Sequence, residues 1–230
     1  MFEVRIHGRG GQGVVTAAEL LSLAAFLEGL RAQAFPSFGS ERMGAPVIAF
    51  CRIDTAAIRL REPIAEPDAV VVQDPTLLHH VDVFGGLRPE GFVLVNSTRT
   101  LEQLGLGELR TRMGTDQRRG GERLLTVPAS EIARARLGRP IPNAALLGGL
   151  VALTGLVKLD SLMNAIGERF SGAAAEGNRN AARDTYQRAA TLLHAGPDQD
   201  RAQSASDATP LAGRPAAEPA LKDEKASAHA

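Results

Sequence analysis

Phe2, Val4 and Ile6 alternate with Glu3 and Arg5, which predicts a strand over residues 2–6. A glycine-rich stretch follows at once, and then the period changes. Val14, Ala17, Ala18, Leu21, Ala24, Ala25 and Phe26 recur at helical spacing, so residues 14–27 read as a helix with Gly29 as its C-terminal stop. Residues 30–35 read as a second strand. This opening of strand, glycine turn, helix and strand predicts a parallel sheet with a right-handed crossover.

Further along, residues 36–45 carry Pro, Ser and Gly without a period and read as a loop. Residues 47–53 form an apolar, buried strand, with 57–60 as its hairpin partner. The run 69–72 is continuously apolar and ends at Gln73-Asp74-Pro75, as a parallel strand would. A short helix is expected over 76–84, strands over 92–95 and 124–127, and an exposed, charged excursion over 105–122. Pro128 and Ser130 suit the start of a helix over 128–137. A stiff Arg139-Pro140-Ile141-Pro142-Asn143 connector leads to three more helices, over 144–154, 159–170 and about 174–194. The fold class is therefore α/β: a Rossmann-like, mostly parallel sheet flanked by helices, with a helical C-terminal part. Residues 196–230 are mostly Ala, Pro, Ser, Asp, Gln and Lys, too few apolar groups to offset ordering entropy. The expected organisation is one domain over 1–194 and a disordered tail over 195–230.

Composition narrows the partners. Lys+Arg and Asp+Glu are 26 each, so no charge excess points to nucleic acid or an anionic membrane. Eight Phe, one Tyr and no Trp leave little for a base-stacking surface. The start carries an early acid and no signal-like apolar run, and no stretch approaches the roughly 20 apolar residues that span a bilayer. A cytoplasmic protein is expected. The one cysteine, Cys51, cannot hold an iron–sulfur cluster, which takes about four thiolates. It reads as a small core residue.

Gly8, Gly10 and Gly13 fit G-x-G-x-x-G between strand and helix, a spacing that lets backbone approach a ligand and presents free helix N–H groups near Gln12 to an anion. Arg9 adds a guanidinium. The same glycines would also serve a turn needed only for strand–helix packing. A self-sufficient dinucleotide site further demands an acid about 20 residues on. Ala32-Gln33-Ala34-Phe35 supplies none. The loop over 37–46 (Ser37-Phe38-Gly39-Ser40-Glu41-Arg42-Met43-Gly44-Ala45-Pro46) follows the second strand and should face the glycine turn across one crevice. Gln73-Asp74-Pro75 would line that crevice or cap the next helix. His79, His80 and Asp82 read as a solvated helix end, because adjacent positions on a helix point apart.

The stretches at 7–18 (His-Gly-Arg-Gly-Gly-Gln-Gly-Val-Val-Thr-Ala-Ala) and 35–47 resemble the gamma subunit of 2-oxoacid:ferredoxin oxidoreductases, in the pyruvate and 2-ketoisovalerate branch. So do Arg52-Ile53-Asp54 with Ile58-Arg59, the run 68–78, and the run 138–148 containing Asn143. The resemblance implies an α/β chain in a heteromeric iron–sulfur complex that decarboxylates a 2-oxoacid oxidatively and passes the acyl group to coenzyme A. It implies no cofactor on this chain alone. Thiamine diphosphate, Mg and the iron–sulfur clusters would sit on the alpha (oxoacid-binding), beta (thiamine-binding) and ferredoxin-like delta subunits, with ferredoxin as electron acceptor. It places Gly8, Arg9, Gly10, Gly11, Gln12, Gly13, Ser37, Ser40, Glu41, Arg42 and Asn143 around the substrate and coenzyme A pocket at the subunit interface. No catalytic or metal-binding residue is assigned to this chain. Met43 stands where related chains often carry Arg, which bears on oxoacid preference. A branched-chain or aryl oxoacid, an NAD-linked complex, a free-standing dinucleotide reductase and a purely structural subunit are the rival readings.

Overall fold

The computed structural model describes residues 1–37, 44–116 and 121–195. The tail expected to be disordered, from 196 to 230, and Ser40, Glu41 and Arg42 lie outside them.

The elements run β1 (Phe2–Arg9), α1 (Val14–Leu27), β2 (Arg31–Pro36), β3 (Pro46–Asp54), β4 (Ala69–Val72), a 3-10 turn (Pro75–His79) and β5 (Phe92–Asn96). They continue through α2 (Gly107–Met113), the two-residue strands β6 (Thr115–Asp116) and β7 (Gly121–Glu122), β8 (Leu124–Val127), α3 (Ala129–Leu137), α4 (Asn143–Thr154), α5 (Leu159–Arg169) and α6 (Gly172–Ala195). The main sheet has the order β2-β3-β1-β4-β5-β8. β1, β4, β5 and β8 are mutually parallel, as expected from the apolar runs.

The opening unit departs from the expected simple crossover. β2 does not pair with β1. β3 lies between them, antiparallel to both. Strands on both sides pair the backbone edges of β3, and layers above and below the sheet cover its faces: Val47, Ala49, Phe50, Cys51, Arg52 and Ile53 are all buried. The same placement explains why the hairpin expected at 57–60 does not form: both edges of β3 are already occupied, and Ala57, Arg59 and Leu60 are exposed. The helix expected over 76–84 is only the 3-10 turn.

The excursion over 105–122 is less exposed than its charge suggests. α2 turns Leu106 and Met113 inward, one helical face seven residues apart, against Leu101 and Leu124. Residues 117–120 lie outside the described set.

Two clusters cover the sheet. On one face, Val4, Ile6, Ala69, Val71 and Leu94 meet α1, α4, α5 and α6. On the other, Val70, Val72, Val93 and Val95 meet the 3-10 turn, the segment around Val83, and α2. α4 is buried on every side from Asn143 to Leu153, so it forms a central layer between sheet and α6. Among the described residues no helix is long and apolar enough to cross a membrane.

Candidate functional site

β1 carries its pattern to the end. Gly8 sits buried in the last turn of strand, and nothing larger fits: a Cβ there would stand 2.6 Å from Cγ2 of Val14 and 3.2 Å from Cβ of Gln73. The glycine lets α1 start directly against the sheet. Gly11 and Gly13 both take positive φ, 93° and 71°, conformations that favour glycine. α1 begins at Val14, as the helical period predicts, with Gly13 as its N-cap.

The described ends of the 37–46 loop, Ser37 and Gly44 to Pro46, lie on the same end of the sheet as the turn. The residue pair Arg9–Pro46 closes the β1–β3 ladder, so the loop returns beside the glycines. The Gly10 N–H donates to the Ala45 carbonyl at 2.9 Å, and the Gly44 N–H to the Gly10 carbonyl at 3.3 Å. At the loop's other end Ser37 is tied in by its N–H to the Ile48 carbonyl, 2.8 Å.

Arg9 joins these pieces to β4. Its Nη1 donates to the Gly44 carbonyl (3.1 Å), its Nη2 to Oγ1 of Thr76 (2.8 Å), and its Nε lies 3.2 Å from Oδ2 of Asp74. Gln12 bridges the same groups: its Oε1 accepts the Arg9 N–H at 2.8 Å and its Nε2 donates to Asp74 Oδ2 at 2.9 Å. Asp74 Oδ1 accepts from the N–H and hydroxyl of Thr76, at 3.0 and 2.6 Å. Partial burial opposes ionisation of Asp74, but Thr76, Gln12 and Arg9 together hold its carboxyl below the usual range. The segment 73–75 thus does both things expected of it, lining the crevice and capping the next turn.

Asn143, the first residue of α4, is buried against Gly13, and a Cβ on Gly13 would collide with its amide nitrogen. Its Oδ1 accepts the Ala144 N–H at 2.7 Å. Gly8, Arg9, Gly10, Gln12, Gly13, Ser37 and Asn143 therefore gather at the carboxyl end of the sheet. Gly11 forms the exposed tip of the turn.

Several neighbours carried no strong sequence signal. Thr76 fixes both Arg9 and Asp74, and the Asp-Pro-Thr cap was the one hint of it. Asn96 donates to the Gln73 carbonyl and to Ser130 Oγ, both at 2.8 Å. Gln73 is buried, and among the described residues neither atom of its carboxamide has a hydrogen-bond partner. Beneath the turn, Arg5 donates through Nε to Nε2 of His7 at 3.0 Å. Burial, then the Arg5 charge, push His7 down to about 4, so the ring is neutral near pH 7.

Cys51 is a core thiol, which burial pushes up to about 12. His79 and His80 are exposed with ring centres 6.5 Å apart.

An α/β domain with a polar crevice at the carboxyl end of its sheet fits ligand recognition, but not a self-sufficient dinucleotide site: β3 separates β2 from β1, and β2 ends in Phe35-Pro36 without an acid. The chain belongs to the pyruvate ferredoxin/flavodoxin oxidoreductase family, which it matches over residues 3–188. It is 50% identical over 188 residues to the pyruvate/ketoisovalerate oxidoreductases common subunit gamma of Pyrococcus furiosus, covering 82% of this chain and 97% of that one. It is 46% identical over 187 residues to pyruvate synthase subunit PorC of Methanothermobacter thermautotrophicus, covering 81% and 95%. The solved pyruvate oxidoreductase subunit PORC of Thermotoga maritima superposes with a TM-score of 0.67 at 36% identity, over 81% of this chain and 95% of that one. The resemblance to gamma subunits read from residues 7–18 and 35–47 therefore holds along nearly the whole of those relatives.

Proposed function

We propose that this chain is the gamma subunit of a cytoplasmic, thiamine diphosphate-dependent 2-oxoacid:ferredoxin oxidoreductase acting on pyruvate. The observation that carries the reading is the match along 97% of a gamma subunit at 50% identity. In the assembled enzyme the oxoacid loses carbon dioxide, its acyl group ends on coenzyme A, and the electrons leave through iron–sulfur clusters to ferredoxin. The sole cysteine is buried inside β3, which supports clusters carried by another subunit, in this reading a ferredoxin-like delta subunit. Thiamine diphosphate and Mg belong to the beta subunit, and the oxoacid to the alpha subunit. Residues 1–194 are read as the working domain.

This chain contributes the crevice at the carboxyl end of its sheet, which lines the coenzyme A and substrate pocket at the subunit interface. Among the described residues three of the five N–H groups of Arg9 are engaged, by Thr76, Gly44 and the Asp74 ion pair, and two remain for a phosphate or carboxylate. The resemblance adds Ser40, Glu41 and Arg42 to the residues of this pocket. In the assembled complex Arg9→Ala and Arg42→Ala should each raise the Michaelis constant for coenzyme A or for the oxoacid. Unchanged constants in both variants would remove this pocket from the reading. Co-purification should bring down a thiamine-binding subunit and a cysteine-rich one, and an isolated chain that is active alone overturns the assignment.

The Pyrococcus relative is by its name common to pyruvate and ketoisovalerate oxidoreductases. That supports a branched-chain oxoacid as the second substrate reading, decided by assaying both acids with the same preparation.

A further inference from the structure

Asp74 stands where two separate parts of the crevice meet. Its Oδ2 accepts from Gln12 Nε2 at 2.9 Å and stands 3.2 Å from Arg9 Nε as an ion pair; its Oδ1 accepts two bonds from Thr76. Among the described residues the Arg9 side chain donates to the Thr76 hydroxyl, from Nε at 3.3 Å and from Nη2 at 2.8 Å, and to the Gly44 carbonyl at 3.1 Å. A long, partly exposed guanidinium samples many rotamers unless several acceptors agree on one. The carboxylate pairs its charge with the guanidinium at the turn after β4, orients the Thr76 hydroxyl that Arg9 uses, and through Gln12 reaches the glycine turn.

We propose that Asp74 is the positioning residue of this crevice: it fixes Arg9 and Gln12 so that the two remaining N–H groups of Arg9 form a preset fork for an anionic group of the ligand. The inference rests on the reading of Arg9 given above. It assigns Asp74 no contact with ligand.

Charge and position predict opposite signs here. A carboxylate within 3.2 Å of an anion-binding guanidinium lowers the local positive potential, so its removal by charge alone tightens anion binding. Removal of a positioning group loosens it. Asn separates the two. Asp74→Asn keeps an oxygen for the Thr76 cap, since Asn is as good a cap as Asp. It turns an NH2 group towards Arg9 and Gln12, which can only donate to it. Gln12 cannot rotate its amide to compensate without losing the bond from its Oε1 to the Arg9 N–H.

The test is steady-state kinetics of the assembled complex with coenzyme A and pyruvate varied in turn, for wild type, Arg9→Ala, Asp74→Asn and the double variant. The expected result for Asp74→Asn is a rise of roughly tenfold in one Michaelis constant, the same one Arg9→Ala raises, with kcat little changed, because bonds to a charged partner are worth that much. In the Arg9→Ala background Asp74→Asn should add nothing, since it acts through Arg9. A fall in that constant, or an equal rise in the double variant on top of Arg9→Ala, overturns the inference. So does a lowered melting temperature with unchanged constants, which marks Asp74 as a cap and nothing more. If Asp74→Asn fails to assemble, Thr76→Val carries the test: it removes a hydroxyl that both Asp74 and Arg9 use, and should raise the same constant by a smaller factor. No rise in Thr76→Val overturns the inference in that case. If Arg9→Ala itself moves neither constant, the reading of the crevice has failed, not only the role of Asp74.

Discussion

Gly11 and Gly13 have the same backbone demand and different surroundings. Both take positive φ, but a Cβ on Gly11 would meet nothing within 4 Å, whereas one on Gly13 would strike the Asn143 amide. Gly11→Ala should therefore cost only the left-handed strain, about 1–2 kcal/mol. Gly13→Ala adds displacement of a buried side chain at the start of α4, for a further 1–3 kcal/mol or so. Thermal unfolding of the two variants measures the difference; equal losses would mean that Asn143 yields freely. Gln73 gives a prediction of opposite direction. Its buried carboxamide has no partner among the described residues, and burying an unpaired polar group costs about 1–3 kcal/mol. Gln73→Met keeps the length and removes the polar atoms, so its melting temperature should match or exceed the wild type. The glycine spacing was readable in the sequence because strand, turn and helix are contiguous there. The meeting of Gly13 with Asn143 was not, because it joins segments 130 positions apart and depends on how α4 crosses the sheet. Asn143 entered the candidate site through the resemblance alone.

At the scale of elements, local pattern showed which segments are strands and helices, and where pairing was long-range it did not. β3 reads as buried in either arrangement, since an apolar run cannot say which two neighbours bury it. Only the assembled sheet puts it between β1 and β2, which moves the end of β2 away from the glycine turn and leaves the crevice to β1, β4 and the loop. α4 shows the same limit. Its Gly148-Gly149 pair looks like a weak point in a helix. In the fold, a Cβ on Gly148 would run into the backbone carbonyl of Ala182, so this glycine sets how closely α6 lies on α4. Gly149 faces only the side-chain ends of Leu94 and Thr185, at 3.1 and 3.2 Å. Backbone of a packed helix cannot step aside as a side chain can. Gly148→Ala should cost about 3 kcal/mol or more, and Gly149→Ala about 1 kcal/mol or less. Urea unfolding of both variants checks the order, and a reversed order would show that α6 shifts as a unit.

Across the whole molecule, one face of β1 carries an ionisable residue at every second position: Glu3, Arg5, His7 and Arg9. Such a column in a central strand is unusual, since charged groups are rarely buried unless paired. Here each has partners. Glu3 takes Arg52 at 2.8 Å and Arg88 at 3.5 Å. Arg5 donates to His7 and to the carbonyls of Ile64, Val83 and Gly85. Arg9 reaches Asp74 in the crevice. The column therefore runs from the far edge of the sheet to the candidate site, and its one neutral member is His7. Folding holds that ring at about 4, against about 6.5 when it is free, through burial and then the Arg5 charge. Between those values the unfolded chain binds a proton that the folded chain refuses, so stability must fall as pH drops from about 6.5 to 4. The loss over that window is on the order of 3 kcal/mol. Carboxylates such as Asp74, whose folded value is depressed, lose their contribution only at lower pH, because their unfolded values lie near 4. The histidine window is thus separable. His7→Gln keeps an acceptor for Arg5 and removes the titration. Urea midpoints of the purified chain at pH 7 and pH 5 should differ clearly in the wild type and much less in His7→Gln. An equal slope in both would place the acid sensitivity elsewhere in the column.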